Sequence, residues 1–361
     1  MPGAHTIGHA RVAGRLGAAA REDNLSHALL IAGPPSVGKT TVALALAKLL
    51  LDCSSWPGPC TGHPDLWLED GDAERIGIDR LRSGGGERQE RTLQDFLALH
   101  SYVGGGSRVA IIARAERLTV EAANCILRTV EEPPPRTHIV LCTPHPERLP
   151  ETIVSRCQSL VLAPVARPEI ATWLVSGHGV GADLAETAAL LSGGRPGRAL
   201  RLATHQDILQ EEMNALNRFL AVAGQGTVAA IQAADGLAPP TSAEGRERSL
   251  VQLAVWSEFI RDAICHAEGT DELSTWAAYR PAVAAWARLP VWRLVDMLAG
   301  CVRAADELER NANSRLCYEV LFLDIFGPPG PQPPALTGWT PPAVPGVGAS
   351  VPRGAPPRNP E

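Results

Sequence analysis

Residues 33–40 read Gly33-Pro34-Pro35-Ser36-Val37-Gly38-Lys39-Thr40, the spacing G-x-x-x-x-G-K-[ST]. This pattern suits phosphate. Backbone N–H groups of such a loop and of the helix it opens wrap the anion, and glycine lets the backbone approach closely. Lys39 would reach the β- and γ-phosphates, and the Thr40 hydroxyl would ligate Mg²⁺. A hydrolysing site also needs an Asp for Mg²⁺ and a Glu or equivalent for the attacking water, at the end of a neighbouring strand. The candidate strand Val109-Ala110-Ile111-Ile112 runs instead into Ala113-Arg114-Ala115-Glu116. Both acids are missing where they should stand, and Glu116 would have to curl back to serve. No nucleophile triad and no acid/base carboxylate pair emerges elsewhere.

The elements that would position this loop alternate. Apolar runs at His27–Ala32, Arg108–Ala113, His138–Thr143 and Gln158–Leu162 predict strands. Helical spacing fills Thr40–Leu51, Thr92–His100 and Thr119–Glu131. Strand–helix alternation implies an α/β domain with a parallel sheet. After Pro168 the strand signal stops and Ala- and Leu-rich helices follow, broken at Gly177–Gly181, Gly193–Gly197 and Gly224–Gly226. The segment Asp235–Ser249 reads as a long loop. From Pro328 to Glu361, 12 of 34 residues are proline. That tail is expected to be disordered with polyproline character, as a spacer or as a recognition segment for a partner.

The chain has 361 residues, enough for two or three domains, and a formal net charge of −6. The charge argues against a surface that is one large nucleic-acid footprint. No apolar stretch approaches a membrane span, and eight cysteines are too few for a disulfide scaffold, so an intracellular, reducing setting is expected.

Three further segments carry a family resemblance. Ala122-Ala123-Asn124-Cys125-Ile126-Leu127-Arg128-Thr129-Val130-Glu131-Glu132-Pro133-Pro134 resembles the A-N-x-L-L-K-x-L-E-E-P-P stretch of bacterial clamp-loader AAA+ subunits. Thr152-Ile153-Val154-Ser155-Arg156-Cys157-Gln158 resembles their T-I-x-S-R-C-Q motif, and Asn311-Ala312-Asn313 with Leu316 and Glu319 resembles their C-terminal N-x-N…L…E. Ile7-Gly8-His9 and His27-Ala28-Leu29-Leu30 also fit, so the likeness runs over roughly residues 5–327. The resemblance implies a RecA-like AAA+ P-loop domain (1–165), a small helical lid (166–207), an all-α collar domain (208–327) and then the tail (328–361). It implies a ring with gamma/tau and delta subunits that opens a sliding clamp and closes it on primed DNA. With the acids lost, the chain resembles the branch that serves as a rigid stator. The alternative is an active ATPase of gamma/tau type.

Residue roles follow from the resemblance. Arg156 would be an arginine finger presented to ATP on a neighbouring subunit, or else an arginine pairing locally at the sheet edge. Thr143 falls at the first sensor position, where it could equally be a strand-end hydroxyl satisfying a turn. Arg198, in Gly197-Arg198-Ala199, matches the second sensor, or is a solvated helix-start arginine. ATP is expected to bind weakly or not at all, with Mg²⁺ if bound. The family's four-cysteine zinc module is reduced here to Cys53 and Cys60, followed by His63-Pro64-Asp65. Two thiols and an imidazole that belongs to a His-Pro-Asp turn fall short of a tetrahedral site, so zinc is not expected. The remaining cysteines read as core packing.

Overall fold

In the computed structural model, the described residues are 6–340 except 54–55, 57, 72, 83–90, 103–105, 241, 271–275, 277–278, 329 and 337. Two compact units emerge: Met1–His178 with Gly194–Arg198, and Gly179–Gly193 with Ala199–Glu361.

The first unit runs α1 (Ala10–Arg21), β1 (Ala28–Ala32), α2 (Lys39–Leu50), β2 (Leu66–Glu69), α3 (Ile78–Leu81), α4 (Leu93–Ala98) and β3 (Arg108–Ile112). It continues with α5 (Val120–Glu131), β4 (Thr137–Thr143), α6 (Glu151–Val154), β5 (Gln158–Val161) and α7 (Arg167–His178). The five strands form one parallel sheet in the order β2-β3-β4-β1-β5. β1 and β3 are buried along their whole length. That is why both read as unbroken apolar runs rather than as alternating ones. Apolar clusters fill both faces: Leu30, Ala110, Ile126 and Leu141 on one, Leu29, Val42, Leu46, Ile111 and Val140 on the other. Thr119 caps α5 by accepting from Ala122 N at 3.2 Å, and Thr92 with Asp95 closes a capping box on α4.

β2 was not among the expected strands. Leu-Trp-Leu-Glu is too short to show a period, and it is a strand because β3 offers it a parallel edge, Leu66 opposite Val109 through Glu69 opposite Ile112. Ahead of it, the buried Asp65 carboxylate accepts from Tyr102 N at 2.8 Å and from Ser101 Oγ at 3.2 Å. His63 Nδ1 accepts from Asp65 N at 3.1 Å, so the imidazole serves the turn. Cys53 and Cys60, expected as free thiols, are joined to each other, with Cα atoms 5.8 Å apart. A seven-residue separation folded against the end of α2 brings them within bridging range. No group of three His, Cys, Asp or Glu suited to a metal occurs among the described residues.

The second unit is helical: α8 (Ala182–Leu191), α9 (Pro196–Thr204, which starts in the first unit), α10 (Gln206–Ala221), α11 (Thr227–Leu237), α12 (Ala243–Ala267), α13 (Arg280–Trp286), α14 (Val291–Glu309) and α15 (Ser314–Phe326). Its core is aromatic. Phe219 stacks on Trp256 at 4.8 Å and is ringed by Trp286, Phe322 and Phe326. The expected loop over Asp235–Ser249 is instead the end of α11, a short connection and the start of α12. Pro239-Pro240 confines the break, and Ser242 restarts the helix by accepting from Gly245 N at 3.0 Å. Of the Pro-rich tail, the described residues of 330–340 carry no helix or strand but do pack. The buried Arg293 donates to Pro331 O at 3.1 Å and to Asp324 O at 2.7 Å, capping α15, and Trp339 lies against Tyr279. Residues 341–361 lie outside the described residues. Among the described residues no helix is long and apolar enough to cross a membrane.

Candidate functional site

The phosphate-type loop lies between the end of β1 and α2, at the carboxyl edge of the sheet, where open α/β sheets place their ligands. Gly33 and Gly38 have φ of 150° and 110°. A side chain at Gly33 would also sit 2.6 Å from Leu162 O, so glycine is required there twice over. Lys39 opens α2, is buried, and donates from Nζ to Gly33 O and Pro34 O, both at 2.8 Å. Burial lowers its pKa, against the opposing influence of Cys142 and Glu116. Thr40 follows it on the helix, half-buried.

Two neighbours brace the loop. The buried His9 ring lies 3.0 Å from Val37 O through Nε2, and since a carbonyl only accepts, Nε2 carries the proton. The first turn of α9 closes from the other side, Gly197 N donating to Ser36 O at 3.0 Å. This places Arg198, half-buried, one residue from that contact. Thr143 ends β4 opposite Ala32, is fully buried, and its Oγ1 accepts from His145 N at 3.0 Å. Gly33, Gly38, Lys39, Thr40, Thr143 and Arg198 therefore lie on the same edge of the sheet. His9 was visible in the sequence only as part of a motif, and its bond to Val37 spans 28 residues.

Arg156 belongs to a different surface. It sits in the turn between α6 and β5, where Ile153 and the half-buried Cys157 face the core. Burial pushes the Cys157 thiol up to about 11, so it stays protonated as a packing group. Arg156 points out, its side chain 41% exposed. Nε contacts Glu131 Oε1 at 2.6 Å and Nη1 donates to Thr152 O at 3.0 Å. Glu131 is the last residue of α5, which Pro133-Pro134 prevents from continuing. Nε and Nη1 are thus both engaged locally, Nη1 also lying 3.5 Å from Ser155 Oγ. Glu131 is a residue that sequence reasoning missed as a partner, because only the fold brings the two elements together.

A parallel sheet bearing a P-loop after β1, a polar residue closing β4 and an arginine turn before β5 defines an AAA+ P-loop domain. Residues 8–166 match the family model described as "DNA polymerase III, delta subunit". The chain is 35% identical over 192 residues to DNA polymerase III subunit delta' of Escherichia coli, covering 49% of this chain and 54% of that one. It is 34% identical over 155 residues to DNA polymerase III subunit delta' of Bacillus subtilis, covering 40% and 44%. DNA polymerase III subunit gamma/tau of Mycobacterium bovis is similar at 32% over 159 residues, covering 42% of this chain and 27% of that one. Over residues 8–166 the chain is thus similar to DNA polymerase III delta' subunits. It spans about half the length of the curated relatives it matches.

Proposed function

We propose that the chain acts as a delta'-type subunit of a bacterial clamp loader. In this reading it is a stator that assembles with gamma/tau and delta subunits, helps to place the sliding clamp on primed DNA, and works in the cytoplasm where that DNA is. It offers Arg156 to ATP held by a neighbouring subunit and does not itself hydrolyse ATP. The observation that carries this division is the contrast between a P-loop followed by Ala113 and Arg114 in place of acids, and an arginine presented outward on a rigid turn. Arginine fits the role because it stays charged and can fork onto phosphate oxygens as charge develops there.

The test is reconstitution with candidate gamma/tau, delta and clamp proteins, followed by native mass spectrometry and clamp-loading assays. Stable incorporation of one copy per ring, with loading dependent on it, is expected. A chain that enters no such complex would overturn the proposal. The intact Gly33–Thr40 loop and the gamma/tau likeness favour a second reading, an active ATPase subunit. Steady-state turnover separates the two. The isolated chain is expected at background, whereas a rate of about 1 s⁻¹ that Lys39→Ala abolishes would select the ATPase.

A further inference from the structure

Of the eight cysteines, six are free thiols. Burial pushes Cys142 and Cys301 up to about 12 and Cys157 to about 11, so these three stay protonated as packing groups. Cys53 and Cys60 are different. Their sulfurs are joined across Cα atoms 5.8 Å apart, and the two ends of the link have unlike surroundings. Cys53 follows α2, its N donating back to Lys48 O at 3.2 Å, and is only half-buried. Cys60 is buried in the apolar cluster on the α2 face of the sheet. One reachable sulfur and one enclosed sulfur suit thiol–disulfide exchange, in which access decides which of the two is attacked.

The link also holds something. Cys60 opens the 3₁₀ turn Cys60–Gly62, which packs against both α2 and β2. His63 N donates to Cys60 O and Leu66 N to His63 O, both at 3.0 Å, so the turn leads without a break into β2. β2 is an edge strand, and Asp65 just before it holds Tyr102 N and Ser101 Oγ. Between the two cysteines, Trp56 sets its ring edge-on to His63 with centroids 4.9 Å apart, and to Tyr102 at 6.3 Å. The link thus ties the end of the P-loop helix to the lead into an edge strand. A chain of this length needs no staple to fold, and the bridges found in a reducing compartment are mostly transient, catalytic or sensing ones.

We propose that Cys53 and Cys60 are a reversible dithiol–disulfide pair, exchanging with low-molecular-weight thiols, that locks the lead into β2 onto the end of α2 when oxidised and frees it when reduced. This rests on the cytoplasmic part of the proposed function and on nothing about the ring. In opening, the thiolate of a small thiol attacks Cys53 Sγ. A new S–S bond forms there, the bond to Cys60 breaks, and Cys60 Sγ leaves with the electron pair and takes a proton. A second small thiolate attacks the small-thiol sulfur of that mixed disulfide and releases Cys53, which is protonated in turn. Two small thiols are thereby oxidised to one disulfide, and the pair gains two electrons and two protons. Closing is the reverse, with the small disulfide as oxidant.

The experiment equilibrates the purified full chain in glutathione buffers from cytosolic to oxidising poise, traps thiols with N-ethylmaleimide and maps the peptide bearing both residues. Two maleimides on that peptide at the reducing end, and none at the oxidising end, are expected. Hydrogen exchange in the two end states is expected to be at least about tenfold faster after reduction at the amides of His63, Leu66 and Tyr102, and unchanged in β1. Cys53→Ser, which alters the half-buried end and spares the core, is expected to exchange like the reduced wild type in both buffers. A bridge that survives the most reducing buffer is a fixed staple and overturns the proposal. So do thiols that never pair in the most oxidising one, and a pair that converts with no change in exchange. Near-stoichiometric zinc in the reduced chain, lost in Cys53→Ser, would make the thiols metal ligands and overturn it too. The assay uses no partner subunit, so none of these outcomes touches the clamp-loader reading, which reconstitution tests separately.

Discussion

The P-loop edge and the Arg156 turn both come from the same α/β unit, yet they treat their cations in opposite ways. Lys39 is buried and spends its Nζ on its own loop carbonyls. Arg156 stands out from the surface, steadied by one carboxylate and one carbonyl at its inner edge. The first arrangement ties its charge to the loop, and the second leaves its charge facing solvent. One unit thus holds one cation within its own loop and carries another outward on a turn some elements away.

The largest effect that could break this comparison is at Arg156. An arginine delivered in trans to a phosphoryl-transfer site is worth roughly 10³–10⁵ in rate, or about 4–7 kcal/mol. In a ring reconstituted with Arg156→Ala, turnover at the one dependent ATP site is expected to fall by that scale, with assembly and unfolding temperature unchanged. Arg156→Lys is expected to rescue little, because an ammonium has no planar fork. Single-site turnover and clamp loading at saturating ATP are the measurements. Wild-type loading by the Arg156→Ala ring would reduce Arg156 to a surface residue paired with Glu131.

The next effect separates shape from charge at the P-loop. Gly33→Ala puts a methyl against Leu162 O at a left-handed φ, and is expected to cost about 1–3 kcal/mol of stability. Lys39→Ala removes a buried ammonium and leaves two carbonyls to be solvated, and its effect on stability is expected to stay within about 1 kcal/mol. Denaturant midpoints for the two variants test this. If Lys39→Ala proves the more destabilising, Lys39 is holding the loop together and its place in phosphate binding is secondary.

How much of this could be read from the residues follows from range. The P-loop is eight consecutive residues, and β1, β3 and β4 are buried on both sides, so their composition alone marks them. β2 was missed because four residues carry no period and its edge is supplied by β3. The start of α12 was missed because Pro239-Pro240 and the charged residues after it imitate a loop, while the evidence for a helix lies in one cap, Ser242 to Gly245 N. The Cys53–Cys60 link was hidden too, since spacing sets no Cβ direction.

The smallest effect is the one that tests how Arg156 is held. Glu131 lies 25 residues away in sequence, and its contact exists only because α5 stops at the Pro133-Pro134 step beside the α6–β5 turn. Both side chains are about two-fifths exposed, at 41% and 43%, so water screens the pair strongly. Exposed ion pairs contribute about 0.2–1 kcal/mol, which corresponds to at most about fivefold in a rate or an equilibrium. Glu131→Gln is therefore expected to leave the fold intact and to lower turnover at the Arg156-dependent site by no more than about fivefold. The loss is expected in kcat, with KM for ATP unchanged, because the finger acts on charge that develops in the transition state. Raising the salt concentration is expected to shrink the difference between variant and wild type. A gain in turnover would reverse the sign of the idea, making Glu131 a restraint that competes with phosphate for the guanidinium.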